Sequence, residues 1–297
     1  MNFRSVSVIG AGPAGISLAI QLKRFGIGFF LFEKKRVGGL LRNGYLIENY
    51  PGFPKGISGE NLSDLFGKHL DLLDIDVIYS KVEVVKFDRK KNRFKIFFDR
   101  GIYFSDYVVF ATGTVPVYPE SVDGFSDEIK GNIFFEITEL IGLSGKNFLI
   151  IGGGDAAFDY ALSLSGSNNT TIALRSNKPR ALSTLVERVR MSDKSEILSG
   201  VYIKSIEHNS DGKLIVSFLG GSENFSIRFD SVIFATGRVS DNVLYTELYR
   251  DNNLPDMIKE RALIIGDAKN GIFRQVSIAV GDGLKTAMEI YFNMRSS

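Results

Sequence analysis

The stretch SVSVIGAGPAGISLAIQLKRFGIGFFLFE, residues 5–33, determines the fold of the first part of the chain. Its apolar residues 6–9 predict a short buried strand, which runs into a glycine-rich turn and then an amphipathic helical pattern. A second apolar run over residues 29–32 ends at Glu33. The order of strand, glycine turn, helix, strand and acid predicts a βαβ unit that binds a dinucleotide.

The three glycines of this turn have separate mechanical roles. Gly10 permits the tight turn, Gly12 lets the backbone approach a pyrophosphate, and Gly15 lets the helix and strand pack closely. The N-terminus of the helix offers N–H groups and a partial positive charge to the phosphates. Glu33 can accept hydrogen bonds from both hydroxyls of an adenosine ribose. These features together predict an adenine dinucleotide site.

Residues 147–175, NFLIIGGGDAAFDYALSLSGSNNTTIALR, repeat the pattern, with Ala157 at the last glycine position. The residue 21 positions after the middle glycine is Glu33 in the first unit and Arg175 in the second. A carboxylate suits a free 2′-hydroxyl, whereas a guanidinium suits a 2′-phosphate. We therefore expect FAD in the first unit and NADPH in the second. The alternative for Arg175 is a solvated charge at the end of a strand.

Each unit ends in an apolar strand that leads into Ala-Thr-Gly, at residues 107–113 and 231–237. A buried strand of this kind would place its turn beside the nucleotide. The repeat predicts an α/β fold with two Rossmann-like domains, the second inserted into the first. We expect a discontinuous FAD-binding domain at 1–113 and 238–297, and an NAD(P)H-binding domain at 114–237.

Composition limits the chemistry. The chain of 297 residues has no cysteine and two histidines, so it holds no disulfide and no thiolate, and we expect neither a metal site nor a catalytic side chain. Its net charge of +2 provides no strong field for nucleic acid or an anionic membrane. No apolar run is long enough to span a membrane, and the N-terminus has no signal-peptide pattern. We expect a cytoplasmic location.

Further segments extend the pattern over nearly the whole chain. They are Gly-Gly-Leu-Leu at 38–41, Glu-Asn-Tyr-Pro-Gly-Phe-Pro at 48–54, Gly-Asp at 266–267 and Phe-Arg-Gln at 273–275. With the two glycine motifs, they resemble the low-molecular-weight thioredoxin reductases, within the pyridine nucleotide-disulfide oxidoreductases. The resemblance implies a homodimer that uses FAD and NADPH.

The resemblance also implies the residues of both sites. For FAD they are Gly10, Gly12, Pro13, Ala14, Glu33, Lys34, Gly39, Leu40, Leu41, Asn49, Val84, Ala111, Thr112, Gly113, Gly266, Asp267, Arg274, Gln275 and Val276. For NAD(P)H they are Gly152, Gly154, Asp155, Ala156, Arg175 and Arg180. Asp267 would hold the ribityl chain, and Gln275 and Val276 would face the flavin pyrimidine. Because Ser176 stands where the family usually has a second arginine, NADPH is favoured and NADH stays possible.

The chain departs from that family at its redox centre. Thioredoxin reductases carry a CxxC motif shortly before the second glycine motif, where this chain reads Phe-Glu-Ile-Thr at 135–138. Electron transfer from flavin to a dithiol of this chain is therefore excluded, and with it thioredoxin reductase activity by the family mechanism. The thioredoxin reductase-like ferredoxin/flavodoxin–NADP reductases also lack the motif, and the resemblance to them implies transfer from NADPH through FAD to ferredoxin or flavodoxin.

Two other functions remain open at this stage. One is an NAD(P)H oxidase or a reductase of small molecules such as quinones, and the other is a non-catalytic sensor that binds flavin and nucleotide. A basic cluster could serve as a docking patch for an acidic carrier, with a solvated helix face as the alternative. The cluster comprises Arg175, Lys178, Arg180, Arg188 and Arg190.

Overall fold

The computed structural model describes residues 3–221, 223–250 and 258–296. The chain divides into two compact units. The first comprises Met1–Arg42, Ile47–Val115 and Val239–Ser297. The second comprises Asn43–Leu46 and Pro116–Arg238.

The strands are numbered in chain order. They are β1 (Val6–Ile9), β2 (Phe29–Glu33), β3 (Val77–Tyr79), β4 (Val82–Asp88), β5 (Arg93–Phe98), β6 (Gly101–Ser105), β7 (Tyr107–Phe110), β8 (Thr114–Pro116), β9 (Ile133–Phe134), β10 (Asn147–Ile151), β11 (Asn169–Leu174), β12 (Ser195–Ser199), β13 (Val201–His208), β14 (Leu214–Gly220), β15 (Glu223–Phe229), β16 (Ser231–Phe234), β17 (Arg238–Ser240) and β18 (Ala262–Ile264).

The α-helices follow the same order. They are α1 (Pro13–Arg24), α2 (Gly59–Leu72), α3 (Asp127–Lys130), α4 (Asp155–Ser165), α5 (Ser183–Arg190), α6 (Val243–Tyr249) and α7 (Val276–Ser296). Short 3₁₀ turns cover Gly39–Asn43, Glu120–Val122 and Gly266–Ala268.

The first unit is built on a parallel sheet of order β18-β7-β1-β2-β3, and β4, β5 and β6 form a separate antiparallel sheet. All four residues of β1 are buried, as expected for a central strand covered on both faces. Ile9 pairs with Phe32 and with Phe110, so the carboxyl ends of β1, β2 and β7 meet at one edge of the sheet. The glycine turn, Glu33 and the first Ala-Thr-Gly segment all follow this edge.

The second unit repeats this arrangement. Its parallel sheet has the order β12-β11-β10-β16-β9, and β13, β14 and β15 form an antiparallel sheet. Ile151 pairs with Ala173 and Phe234, which brings the second glycine turn, Arg175 and the second Ala-Thr-Gly segment to one edge. The predicted α/β fold with two Rossmann-like domains is therefore confirmed.

One segment differs from the predicted domain division. Asn43–Leu46, predicted within the FAD-binding domain, groups with the second unit. The Asn43 side-chain oxygen accepts hydrogen bonds from the Ile137 N–H at 3.0 Å and the Thr138 hydroxyl at 2.8 Å. The Tyr45 N–H donates to the Asp159 carboxylate at 3.0 Å. Contacts between such distant residues have no local sequence signature. The rest of the second unit, Pro116–Arg238, has bounds within two residues of the predicted NAD(P)H-binding domain, 114–237.

Within the part of the chain that the structure describes, no helix has the length and apolar character needed to cross a membrane.

Two candidate nucleotide sites

The first glycine turn lies directly against the Ala-Thr-Gly segment after β7. A Cβ added to Gly10, whose φ is +109°, would lie 2.4 Å from the Ala111 carbonyl oxygen. A Cβ on Gly15 would lie 1.9 Å from the Gly10 carbonyl oxygen. Both positions therefore need glycine. A Cβ on Gly12 would meet no atom within 4 Å, so this backbone faces open space where a pyrophosphate can approach.

Glu33 is fixed at the carboxyl end of β2. Its carboxylate is buried and accepts a hydrogen bond from the Ala11 N–H at 2.9 Å and from the Lys35 N–H at 2.8 Å. Each oxygen accepts one of these bonds and keeps lone-pair capacity for a ribose hydroxyl. The neighbouring predicted residue, Lys34, is exposed and forms an ion pair with Asp241 at 3.3 Å.

The predicted segment Gly39–Leu41 covers the same turn from another side. The Gly38 N–H donates to the Ala11 carbonyl at 2.8 Å, and a Cβ on Gly39 would lie 3.5 Å from the Gly12 Cα. Leu41 is buried. The backbone of this segment therefore lies directly against the glycine turn.

Two predicted flavin-contacting residues meet although 226 positions separate them. The Asn49 side-chain N–H donates to the Gln275 side-chain oxygen at 2.7 Å. Gln275 directly precedes α7, and its carbonyl accepts the Ala279 N–H at 3.0 Å. Val276 is therefore the first residue of a long helix, whose N-terminal N–H groups carry partial positive charge.

Asp282 and Asn270 are part of this site, although the motifs did not identify them. The Asp282 carboxylate accepts the Gly266 N–H at 3.1 Å and the Asn270 side-chain N–H at 2.6 Å. These bonds hold the turn that presents the predicted residue Asp267. A single acid among the otherwise uncharged residues 279–283, Ala-Val-Gly-Asp-Gly, is the sequence signal that points to Asp282.

The remaining FAD predictions lie on several elements of the first unit. Pro13 and Ala14 open α1, and the Thr112 hydroxyl donates to the Asp241 carbonyl. Arg274 donates through its Nε to the Gly271 carbonyl, at 2.5 Å. Val84 lies in β4, in the antiparallel sheet, with Phe97 as its partner. Leu40 lies in the 3₁₀ turn Gly39–Asn43, and Gly113 lies in the segment that follows β7.

The second glycine turn repeats the first closely. A Cβ on Gly152 would lie 2.4 Å from the Ala235 carbonyl oxygen. A Cβ on Gly10 would lie at the same distance from the Ala111 carbonyl oxygen. A Cβ on Gly154 would meet nothing within 4 Å. Asp155 and Ala156 begin α4, and the Asp155 carboxylate accepts the Leu182 N–H at 2.8 Å.

The loop after β11 is tied to this turn. The Arg180 N–H donates to the Gly153 carbonyl at 2.7 Å, and the Ala181 N–H donates to the same oxygen at 3.1 Å. Arg175 and Arg180 are both exposed. Backbone geometry therefore brings all six residues predicted for NAD(P)H to one region of the second unit, at the carboxyl ends of β10 and β11.

The segment that corresponds to the dithiol of the thioredoxin reductases has a structural role here. Ile137 is fully buried, and Glu136 forms an ion pair with Arg238 at 3.0 Å. Phe135 stacks on Phe234, with ring centroids 5.8 Å apart, and contacts the tilted ring of Tyr118 at 4.3 Å. The residues at the positions of the redox dithiol therefore contribute apolar packing and an ion pair in this chain.

Both clefts fit the groups that the sequence predicted. Each has an open glycine backbone at the start of a helix for a pyrophosphate. At the end of the next strand, the first unit has the anchored carboxylate of Glu33 and the second has the exposed guanidinium of Arg175. Two such units in one chain define a dinucleotide-dependent oxidoreductase.

Comparison with known proteins gives the family. The sequence model of the pyridine nucleotide-disulphide oxidoreductases matches residues 4–255, and the chain belongs to this family. FAD and NADPH are its cofactors, and it is an FAD-dependent NAD(P)H oxidoreductase. The predicted family resemblance is confirmed.

Two relatives and one solved structure show how similar the chain is to known members. A 34.2 kDa protein in the rubredoxin operon of Clostridium pasteurianum is 25% identical over 95% of this chain and 94% of its own length. A thioredoxin reductase of Mycoplasma genitalium is 27% identical over 95% and 93%. A thioredoxin reductase of Lactococcus lactis shares the fold, with a TM-score of 0.83 and 24% identity over 99% and 100%.

Proposed function

We propose that the chain oxidises NADPH and passes the electrons, through FAD, to a small one-electron carrier protein of the ferredoxin or flavodoxin type. The proposal rests on one observation: this member of a disulphide oxidoreductase family has no cysteine in its sequence. The electrons that enter from NADPH must therefore leave the chain without passing through a disulfide of its own.

The relative in the rubredoxin operon supports a protein acceptor, because rubredoxin is a carrier of single electrons. The reaction balances when one NADPH reduces two carriers, with NADP⁺ and one proton as the other products. FAD, when bound, supplies the chemistry that accepts a hydride and releases its two electrons separately.

The chain's own residues bind and orient the reactants. Gly12 and Gly39 give the pyrophosphate access to the backbone, and Glu33 orients the ribose. The hydrogen bond between the Asn49 and Gln275 side chains holds these residues at the N-terminus of α7. The positive end of this helix dipole stabilises negative charge there. We assign no side chain as an acid or base, because hydride transfer needs proximity and alignment alone.

The test is an anaerobic stopped-flow experiment on the purified flavoprotein. NADPH is expected to bleach the flavin within the time of a turnover, and oxidised ferredoxin, flavodoxin or rubredoxin is expected to restore the colour much faster than dioxygen or menadione does. The same mixture without NADPH is the control.

Three results would contradict the proposal. Faster reoxidation by dioxygen favours an oxidase, and faster reoxidation by menadione favours a quinone reductase. Bleaching by neither NADPH nor NADH favours a non-catalytic sensor. Homodimer formation and a cytoplasmic location remain predictions, and sedimentation of the holoprotein tests the first.

A further inference from the structure

We propose that Lys178 provides the second cation for the 2′-phosphate of NADPH, in a loop where Ser176 provides none. The inference rests on the assignment of NADPH to the second unit. It makes Lys178 a specificity-determining residue, at a position that neither glycine motif marks.

The loop that carries Lys178 is held in place from both sides. On one side, the Arg180 and Ala181 N–H groups donate to the Gly153 carbonyl, within the glycine turn itself. On the other side, the Gly200 N–H donates to the Ser176 carbonyl at 3.3 Å. The loop is therefore positioned by the turn that faces the pyrophosphate.

Two polar side chains of the loop are already engaged. The Ser176 hydroxyl donates to the Lys178 carbonyl and closes a tight turn between them. The Asn177 side-chain oxygen lies 2.5 Å from the position that a Cβ on Gly200 would take, so it packs on that glycine. The groups left to bind a ligand are the cations Arg175, Lys178 and Arg180, all three of them exposed.

In the described parts of the chain, no acid forms an ion pair with the cations of this loop, and the nearby Asp155 carboxylate accepts the Leu182 N–H instead. Between Asp159 and Glu187 the chain has no acidic residue. Among the described residues, Arg175, Lys178 and Arg180 have no ion-pair partner, whereas Lys34 and Lys213 each pair with an aspartate. Like charges this close in sequence repel each other, and a doubly charged phosphate would relieve the repulsion.

A 2′-phosphate explains the cluster better than an acidic carrier protein does. Arg175 occupies the position that selects the ribose substituent, and Arg180 is joined by its backbone to the glycine turn. Lys178 lies between these two residues in the sequence, so its charge adds to the same phosphate site.

The experiment measures binding of NADP⁺ and NAD⁺ to the FAD-loaded protein by calorimetry, since these ligands differ only in the 2′-phosphate. Lys178→Met is expected to weaken NADP⁺ binding about tenfold, the size of one solvent-screened charge-assisted hydrogen bond, and to leave NAD⁺ binding unchanged. Lys178→Arg is expected to retain NADP⁺ affinity. Lys204→Met, an exposed lysine of β13, is the matched control and is expected to change neither.

The outcomes separate the inference from the function on which it rests. Equal NADP⁺ affinity in Lys178→Met and the wild type would overturn the role of Lys178, and so would an equal loss for both ligands. A higher KM for the carrier with unchanged NADP⁺ binding would assign Lys178 to carrier docking instead. A wild type that binds NAD⁺ as tightly as NADP⁺ would overturn NADPH as the preferred donor. Retained flavin absorbance and an unchanged Tm show that each variant is folded.

Discussion

The Glu33 carboxylate joins the first glycine turn to the end of β2 through a side-chain hydrogen bond, beside the backbone bond from the Gly10 N–H to the Phe32 carbonyl. Glu33→Ala removes the acceptor of the buried Ala11 N–H and the expected ribose contact. We expect the variant to lose about 1–3 kcal/mol in free energy of unfolding and to bind FAD at least about tenfold more weakly. Flavin absorbance during dialysis measures the second effect. Glu196→Ala, at an exposed glutamate of β12, should behave as wild type, and full FAD retention by Glu33→Ala would contradict the assignment.

Asp159 gives the second unit a pH-dependent stability. Burial raises the pKa of Asp159 to about 6, and the Tyr45 hydrogen bond opposes this increase. In the unfolded chain the carboxyl titrates near about pH 4, so between about pH 4 and 6 the folded state binds more protons than the unfolded state. The free energy of unfolding therefore falls as pH rises through this window, by up to about 3 kcal/mol.

The matching experiment is urea unfolding of the wild type and of Asp159→Asn at several pH values. The amide keeps an acceptor for the Tyr45 N–H but carries no charge, so the variant should be the more stable protein above pH 6 and should lose this part of the pH dependence. Asp193→Asn, at an exposed aspartate, is the control. The prediction would be contradicted if the free energy of unfolding changed with pH equally in Asp159→Asn and in the wild type.

Helices α1 and α7 owe their close packing to one glycine. A Cβ on Gly283 would lie 2.1 Å from the Ala14 carbonyl oxygen and 2.9 Å from the Leu18 N. We expect Gly283→Ala to force the helices apart and to cost about 1–3 kcal/mol, with weaker FAD binding, because Ala14 opens the helix that faces the pyrophosphate.

The same helix offers a matched control two positions away. A Cβ on Gly281 would meet no atom within 4 Å, so Gly281→Ala should be neutral or stabilise the protein by up to about 1 kcal/mol through helix propensity. Thermal unfolding of the two variants measures the difference. Equal Tm values for Gly283→Ala and Gly281→Ala would show that the close helix approach at Gly283 does not affect stability.

The 297-residue chain has no cysteine, and this determines its response to thiol reagents. We expect iodoacetamide and arsenite to leave NADPH oxidation unchanged, and we expect no reduction of a protein disulfide above the background of free flavin. A cysteine-containing thioredoxin reductase treated in parallel should lose its activity. Disulfide reduction by this chain at a rate comparable to carrier reduction would contradict both this prediction and the proposed function.

The βαβ units could be predicted in detail because their signals are local. β1 has the bounds that the apolar residues 6–9 predict, and β7 and β16 end where the Ala-Thr-Gly segments begin. Strand β11 begins at the polar residue Asn169, which pairs with Asn147, so its start depends on strand pairing and not on an apolar run. Short connections and a steric need for glycine leave few other folds for these segments.

The sequence by itself determined the two Rossmann-like units, the charges at Glu33 and Arg175 and the absence of a dithiol, because spacing, backbone sterics and side-chain chemistry are local properties. Only the tertiary structure decided which distant residues meet. It paired Asn49 with Gln275, placed Asp282 beneath the Gly266 turn and grouped Asn43–Leu46 with the second unit. Such contacts depend on how whole elements pack, and no period or motif in the chain encodes that packing.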